Sequence, residues 1–199
     1  MLGLNGQKIP GPTSLMDGLS HFACHNIALP CNANGTCITA KAFETVWELI
    51  DSRSRCLAQN LKYKQYTRAM MYGLLYRIHT DFSTAIQNGS TPKFHLYSGH
   101  DTTVTPLITA MELKNVVWPR FATTITFELY RKQNSESLIR VLQDGKVVTG
   151  DVFFCKDSTN KHGMCPFVNL TNYINKKDNS EICNSLNFVP KRKRSLKRQ

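Results

Sequence analysis

The chain is organised around Lys93-Phe-His-Leu-Tyr-Ser-Gly-His-Asp-Thr-Thr103. The apolar residues at 94–97 predict a short β-strand, because they favour extended backbone. Gly99 then permits a tight turn. The two closing threonines are good N-cap residues, and they predict a helix over 104–111. A strand, a turn and a helix therefore follow one another here.

His100 and Asp101 lie at the carboxyl end of this predicted strand. Ligands bind at that position in open α/β sheets, and the free amides of a following helix attract anions. The turn therefore predicts a phosphate site. A plainer alternative is that His100 and Asp101 only cap the helix. A metal-dependent phosphohydrolase site of the His-Asp type is not expected at this turn, because it needs further ligands on helices. The other histidines show no such grouping; they are His21, His25, His79, His95 and His162.

The composition is that of a globular domain, which we place at residues 1–190. Of the 199 residues, 41% are hydrophobic and 20% are charged. Six of the positive charges lie in 191–199, and subtracting these six from the net charge of +11 leaves about +5 for the domain. We interpret 191–199 as a disordered basic tail and expect no nucleic-acid partner. The alternative is a nucleic-acid binder with salt-dependent affinity.

Cysteines and glycosylation sequons indicate the secretory pathway. Seven cysteines are many for a cytosolic protein of this size, and no Cys-x-x-Cys pair suggests zinc, so disulfides are expected. Asn-x-Ser/Thr sequons make Asn34, Asn88 and Asn169 candidate glycosylation sites.

The first residues do not have the features of a signal peptide. The segment 1–10 has no charged start, no long apolar run and no small-residue cleavage site. No window approaches the roughly 18 to 20 apolar residues that a membrane span requires. We therefore expect Met1 to be an internal methionine of a longer chain, with any membrane anchor upstream.

Hydrophobic periodicity predicts the remaining elements. Apolar residues at helical spacing predict helices near 14–22, from Thr39 to about Leu57, and around 70–86. Alternating residues predict three strands followed by a short helix. These elements lie at 123–130, 138–142, 146–149 and 168–174. Asp144-Gly145 separates the last two strands and predicts a hairpin.

Several motifs together resemble the histidine acid phosphatases. Tyr97-Ser-Gly-His-Asp-Thr-Thr103 is similar to a signature near the end of that family's catalytic domain, and Cys24-His-Asn-Ile-Ala-Leu-Pro30 is similar to an earlier stretch. Similarity continues in order from about residue 15 to 185. Further matching blocks are Pro119-Arg-Phe-Ala122, Phe127-Glu-Leu-Tyr130, Arg140-Val-Leu142, Phe154-Cys155 and Met164-Cys-Pro166.

The resemblance implies an α/β fold of the phosphoglycerate-mutase and histidine-phosphatase type. Such a fold has a mostly parallel sheet, helical cap elements and here a C-terminal hairpin. The resemblance also implies phosphomonoester hydrolysis through a phosphohistidine, without metal or cofactor. By the same resemblance, His100 binds phosphate and Asp101 is the proton donor. A cationic imidazole beside a phosphate and a neutral carboxyl beside an anion both make physical sense.

The finer resemblance implies a substrate, a compartment and a disulfide. The substrate is phosphorylated xylose of the proteoglycan linkage region, and the compartment is the Golgi. Cys155 and Cys165 match a local pair that closes a short loop. Cys183 matches a cysteine whose partner lies upstream, whereas the pairing of the remaining four cysteines stays open. These are Cys24, Cys31, Cys37 and Cys56.

One departure from the family pattern is decisive for activity. The family's nucleophile lies in an Arg-His-Gly motif, and these 199 residues contain no such motif. A second phosphate-binding arginine also has no identifiable counterpart among Arg53, Arg55, Arg68 and Arg77. We therefore expect a C-terminal part of a phosphatase domain whose N-terminal half is missing, and negligible activity in isolation. The alternative is an inactive anion-binding module or a truncated isoform.

Overall fold

The computed structural model describes residues 11–88, 92–114, 116–131 and 136–176. Within these ranges the chain forms five α-helices and a four-stranded sheet. The helices are α1 (Pro12–Cys24), α2 (Ala40–Gln59), α3 (Leu61–Asn88), α4 (Asp101–Ala110) and α5 (Phe167–Asn175). The strands are β1 (Ile125–Arg131), β2 (Ser137–Gln143), β3 (Lys146–Val147) and β4 (Cys165–Pro166).

Side-chain caps define the ends of the two long helices. Thr39 Oγ1 accepts a hydrogen bond from the Ala42 amide at 3.1 Å, which starts α2. Asn60 Oδ1 accepts from the Tyr63 amide at 3.1 Å, so one residue ends α2 and caps α3. The helices expected from sequence near 14–22, 39–57, 70–86 and 168–174 are thus confirmed. No helix in the described ranges is long and apolar enough to cross a bilayer.

The sheet is an antiparallel meander with one added strand. β1 pairs with β2, β2 pairs with β3, and β4 pairs with the other end of β2. The turn between β2 and β3 is Asp144-Gly145, with φ angles of 49° and 76°. Two successive positive φ angles are typical of a type I′ turn, so the hairpin expected from the Asp-Gly dipeptide is confirmed.

The expected mostly parallel sheet is wrong for the described residues. Every pairing in the sheet is antiparallel. Parallel strands require a crossover connection, and the segments that join β1, β2 and β3 contain too few residues for one. The predicted strand at 94–97 does not join the sheet. Its Phe94 and Leu96 side chains are 77% and 80% exposed. The residues are extended, but no described strand pairs with them.

The core lies between α3, α4, the sheet and α5. Every residue of α4 from 105 to 110 is buried. Burial of each large apolar side chain contributes about 1.5–3 kcal/mol, so this layer dominates stability. The most deeply buried large apolar side chains of this cluster are Leu75, Ile108, Met111, Ile139, Val141, Val152 and Leu170.

Two disulfides close short loops. Cys155 and Cys165, the pair implied by the resemblance, are bonded, and so are Cys31 and Cys37, which the sequence left unassigned. Loops of this length contribute about 2–3 kcal/mol each by constraining the unfolded chain. Cys24 and Cys56 are exposed free thiols. Cys183 and the expected basic tail at 191–199 lie outside the described residues.

Candidate functional site

His100 is the N-cap of α4, and Asp101 is its first helical residue. The His100 backbone is extended, with φ −116° and ψ 169°. Its carbonyl oxygen accepts hydrogen bonds from the amides of Thr103 at 2.8 Å and Val104 at 2.9 Å. The sequence placed the cap at one of the two threonines, which is wrong, because the chain becomes helical directly after His100.

The two side chains of this turn have different surroundings. The His100 imidazole is exposed, whereas Asp101 is half-buried. Asp101 Oδ1 accepts a hydrogen bond from the Thr102 amide at 2.6 Å. A carboxylate is stabilised at a helix N-terminus by the amides and by the helix dipole. The turn therefore holds one acid in place and presents one imidazole to solvent.

Gly99 allows the chain to approach α4 closely. A Cβ atom added at this position would lie 3.3 Å from Cβ of Thr103. That contact is closer than ordinary van der Waals packing, so a larger residue would displace either Thr103 or the backbone beside His100. The glycine thus fixes the path by which the extended segment enters the helix.

A cluster of polar side chains fastens the extended segment to α3. Tyr97 Oη donates to Asp81 Oδ2 at 2.7 Å, and Arg77 Nε lies 3.0 Å from Asp81 Oδ1. His95 Nδ1 lies 3.6 Å from Asp81 Oδ2. We call Arg77, Asp81, His95 and Tyr97 the anchor cluster. It fixes the backbone three residues before His100.

The anchor cluster holds Asp81 in its ionised form. Burial by itself would raise the pKa of Asp81, but hydrogen bonds from Tyr97 and Arg77 and the Arg77 charge outweigh burial and lower the pKa. The pKa of Tyr97 is raised, first by its hydrogen bond to Asp81 and then by burial. Both directions favour a neutral tyrosine donating to a charged carboxylate at neutral pH.

Asp17 of α1 is a neighbour of the site that sequence reasoning missed. Burial raises the pKa of Asp17, and the negative charge of Asp101 raises it further. The two carboxyl groups are therefore close enough to interact, although they are far apart in the sequence. α1 buries Met16, Leu19 and Ser20 against the rest of the protein. The packing of α1 brings Asp17 close to Asp101, and no local sequence signal could have predicted this proximity.

The four arginines that the sequence left unassigned have different roles. The Arg68 guanidinium pairs with Glu112 and lies 4.9 Å from the centroid of the Phe153 ring. Arg77 belongs to the anchor cluster. Arg53 and Arg55 are exposed on α2. Of the four, Arg77 is connected through Asp81 to the extended segment that leads into His100.

The site is open rather than enclosed. One cleft of about 360 Å³ lies between α3 and α5, and another of about 300 Å³ lies between α1, α2 and the loop that joins them. Neither cleft is lined by His100 or Asp101. The described residues thus present the pair on a solvent-facing surface. No group of three cysteine, histidine or acidic side chains that would suit a metal ion occurs among the described residues.

The sequon asparagines differ in environment. Asn34 is exposed in the loop closed by Cys31 and Cys37. Asn169 is half-buried, and its Nδ2 donates to Ser158 Oγ at 2.7 Å. Asn88 is the last residue of α3, and the rest of its sequon lies outside the described residues.

Comparisons with known proteins find matches to the part of the chain that contains the His100–Asp101 turn. The model of the histidine phosphatase superfamily (branch 2) matches residues 55–144, which include His100 and Asp101. Human (Homo sapiens) 2-phosphoxylose phosphatase 1 is 32% identical over 162 residues, which cover 78% of this chain and 33% of that protein. The protein of the same name from Rattus norvegicus is 33% identical over 163 residues, with the same coverage.

A second kind of relative matches a shorter region. Lysophosphatidic acid phosphatase type 6 of Mus musculus is 39% identical over 57 residues, covering 28% of this chain and 14% of that protein. The chain spans about one third of the length of the 2-phosphoxylose phosphatases that it matches.

Proposed function

This chain belongs to branch 2 of the histidine phosphatase superfamily, and we propose that it supplies the phosphate-binding and proton-donating part of a phosphomonoesterase active site. One observation carries the proposal. His100 and Asp101 adjoin at the N-terminus of α4, inside the region that matches the family. A helix N-terminus with an adjacent imidazole is suited to a phosphate dianion.

Each residue of the pair has a chemical role in this proposal. The His100 imidazole offsets the charge of the phosphate, together with the positive end of the α4 dipole. The Asp101 carboxyl donates its proton to the ester oxygen as the phosphorus–oxygen bond breaks, so that the product leaves as a neutral alcohol. The phosphoryl group passes to the nucleophilic histidine of the complete site, which these 199 residues do not supply in an Arg-His-Gly motif. The Thr102 amide, which donates to Asp101 Oδ1, orients this carboxyl.

The described site is incomplete for catalysis. The 199 residues contain no Arg-His-Gly motif, and His100 is exposed while Asp101 is only half-buried. Proton donation alone supplies about 10²–10⁴-fold, whereas phosphate monoesters require up to ~10²¹-fold acceleration. We therefore expect negligible turnover from the isolated chain. A complete site requires a polypeptide segment that carries the nucleophilic histidine.

We propose phosphorylated xylose of the proteoglycan linkage region as the substrate of the complete enzyme. Support comes from the relatives named 2-phosphoxylose phosphatase 1, which are 32% and 33% identical over most of this chain. The positive charge of the domain would steer anionic glycosaminoglycan substrates toward it. Two disulfides and an exposed sequon support the secretory pathway, and the Golgi is the compartment that fits this substrate.

An inactive anion-binding module is the second candidate. The absence of the nucleophile motif favours this candidate, because the helix N-terminus and His100 do not depend on that motif to attract an anion. Such a module would bind phosphate and release it unchanged.

Reconstitution distinguishes the two candidates. The purified chain is assayed with an aryl phosphate, alone and mixed with a separately produced histidine phosphatase segment that is chosen because it contains Arg-His-Gly. We expect no turnover from either part alone, and turnover from the mixture that is lost in Asp101→Asn and His100→Gln. His162→Gln, at an exposed histidine in a distant loop, is the matched control and should remain active.

Two results would contradict the proposed enzyme. Turnover by the isolated chain that disappears in Asp101→Asn would show that the missing motif is not needed. A mixture that associates and binds inorganic phosphate through His100, yet hydrolyses nothing, would establish the anion-binding module instead.

A further inference from the structure

Two exposed histidines face each other at the end of α1. His21 and His25 are four residues apart, so they lie on the same side of the helix one turn from each other. Their ring centroids are 4.6 Å apart, and the ring planes are inclined by 54°. Both residues are exposed to solvent.

This separation suits two ligands of one metal ion. Zn²⁺ binds imidazole nitrogens at about 2.0–2.1 Å, so two imidazoles on one ion must lie almost in contact. The 4.6 Å separation of the ring centroids already brings them that close. Two histidines at positions i and i+4 of one helix face are also the pair that binds zinc in helical His-x-x-x-His motifs.

The surroundings of the pair favour a cation. His25 is the C-cap of α1, and the C-terminal end of a helix carries partial negative charge on its carbonyl groups. Asp17 lies one turn before His21 in α1 and adds negative charge near the pair, but it does not converge with them as a third ligand. No lysine or arginine occurs within α1. The C-terminal end of α1 is thus locally favourable for a cation, although the net charge of the whole chain is +11.

We propose that His21 and His25 form a surface site for a divalent transition-metal ion, with one nitrogen from each imidazole and with water completing the coordination. Borderline ions of the Zn²⁺ and Cu²⁺ class are the ones that imidazole prefers. Because no third cysteine, histidine or acidic side chain converges there among the described residues, the site has two protein ligands. It does not depend on the proposed hydrolysis.

Zinc titration of the full chain tests the site. Calorimetry with ZnCl₂ is performed on the wild type, His21→Gln, His25→Gln and the control His162→Gln, whose histidine is exposed elsewhere. We expect either replacement in α1 to weaken Zn²⁺ binding at least about ten-fold, since even the loss of an outer-shell partner typically costs that much. The control should bind like the wild type.

A second measurement identifies the ligands directly. In NMR spectra the ring signals of His21 and His25 should shift together as Zn²⁺ is added, before those of any other histidine. Cys24→Ser should leave binding unchanged, because the free thiol between them is not part of the site. Equal Zn²⁺ binding by wild type and both α1 variants, no Zn²⁺ binding by the wild type, or loss of binding in Cys24→Ser would overturn the proposal.

Discussion

The anchor cluster shows how residues far from each other in the chain fix the His100–Asp101 turn. Asp81 has a side chain that is only 15% exposed, and it receives Tyr97 from the extended segment and Arg77 from its own helix. A hydrogen bond to a charged carboxylate is stronger than one between neutral groups. The cluster therefore replaces the strand pairing that the extended segment lacks.

Removing the tyrosine hydroxyl should weaken this attachment in a pH-dependent way. We expect Tyr97→Phe to lower the free energy of unfolding by about 0.5–1.5 kcal/mol at pH 7, since Asp81 loses its closest donor and the site is partly hydrated. Because the pKa of Asp81 is lowered by folding, this contribution is present above the ordinary carboxyl pKa of about 3.9 and is lost as the pH falls through the folded value.

Urea unfolding at pH 7 and at pH 3 measures both effects. The matched control is Tyr76→Phe, at a 51% exposed tyrosine of α3, the helix that contains Asp81. It should leave the free energy of unfolding unchanged at both pH values. A Tyr97→Phe deficit of the same size at both pH values would argue against a charged Asp81 acceptor.

The sequon asparagines should differ in glycan occupancy. When the chain is expressed in a secretory host, we expect a glycan on Asn34, which is exposed, and none on Asn169, whose Nδ2 is hydrogen-bonded to Ser158. Glycopeptide mass spectrometry measures both sites. Asn34→Gln should remove the corresponding mass, whereas Asn169→Gln should not. Occupied Asn169 would mean that the Ser158 contact forms too late to protect it.

At this scale the sequence predicted the turn but not its surroundings. The adjacency of Gly99, His100 and Asp101 is local, so the sequence alone indicated a strand-to-helix turn. Asp17 and Asp81 reach the turn from other helices, and nothing in their own neighbourhoods distinguishes them from solvated acids. Tertiary packing alone brings them there.

At the scale of elements, local chemistry was the reliable guide. Helices were predictable because their apolar residues recur at helical spacing, and the β2–β3 hairpin because Asp144-Gly145 accepts positive φ angles. The segment 94–97 has the same strand composition but lacks a partner, and a strand is defined by its pairing. That information does not reside in the segment itself.

The disulfide between Cys155 and Cys165 should be important for the stability of the sheet. It connects the turn after β3 to β4, which pairs with the buried strand β2. We expect Cys155→Ser to destabilise the chain by about 2–3 kcal/mol and to lower Tm by several degrees. Cys56→Ser removes an exposed free thiol and should leave Tm unchanged. Thermal unfolding followed by circular dichroism compares the two, and an equal Tm for both variants would rule out a stabilising bridge.

For the whole molecule, the exposed extended segment is the most consequential surface. Phe94 and Leu96 project to solvent while Tyr97 is held on α3. An unpaired apolar edge is a template for association with other chains. The net charge of +11 opposes association through repulsion between chains. Salt screens this repulsion, so association through the apolar segment should increase with salt concentration.

Replacing the two apolar side chains should keep the chain monomeric. At high salt we expect the wild type to self-associate and the double variant Phe94→Ser, Leu96→Ser to elute as a monomer in size-exclusion chromatography with light scattering. Leu49→Ser, at a 60% exposed leucine on α2, is the control and should behave as the wild type does. Continued self-association of the double variant would show that a different surface mediates the association.

The meander also sets an order of events during folding. β1, β2 and β3 follow one another closely in the sequence, so their pairing needs little chain closure, and β-hairpins form within about 1–10 μs. Contacts between α3 and α5, and the electrostatic interaction of Asp17 in α1 with Asp101, join distant parts of the chain, and we expect them to form later. We therefore expect the β1–β2–β3 meander to form early, and the turn at His100 and Asp101 to acquire its shape late.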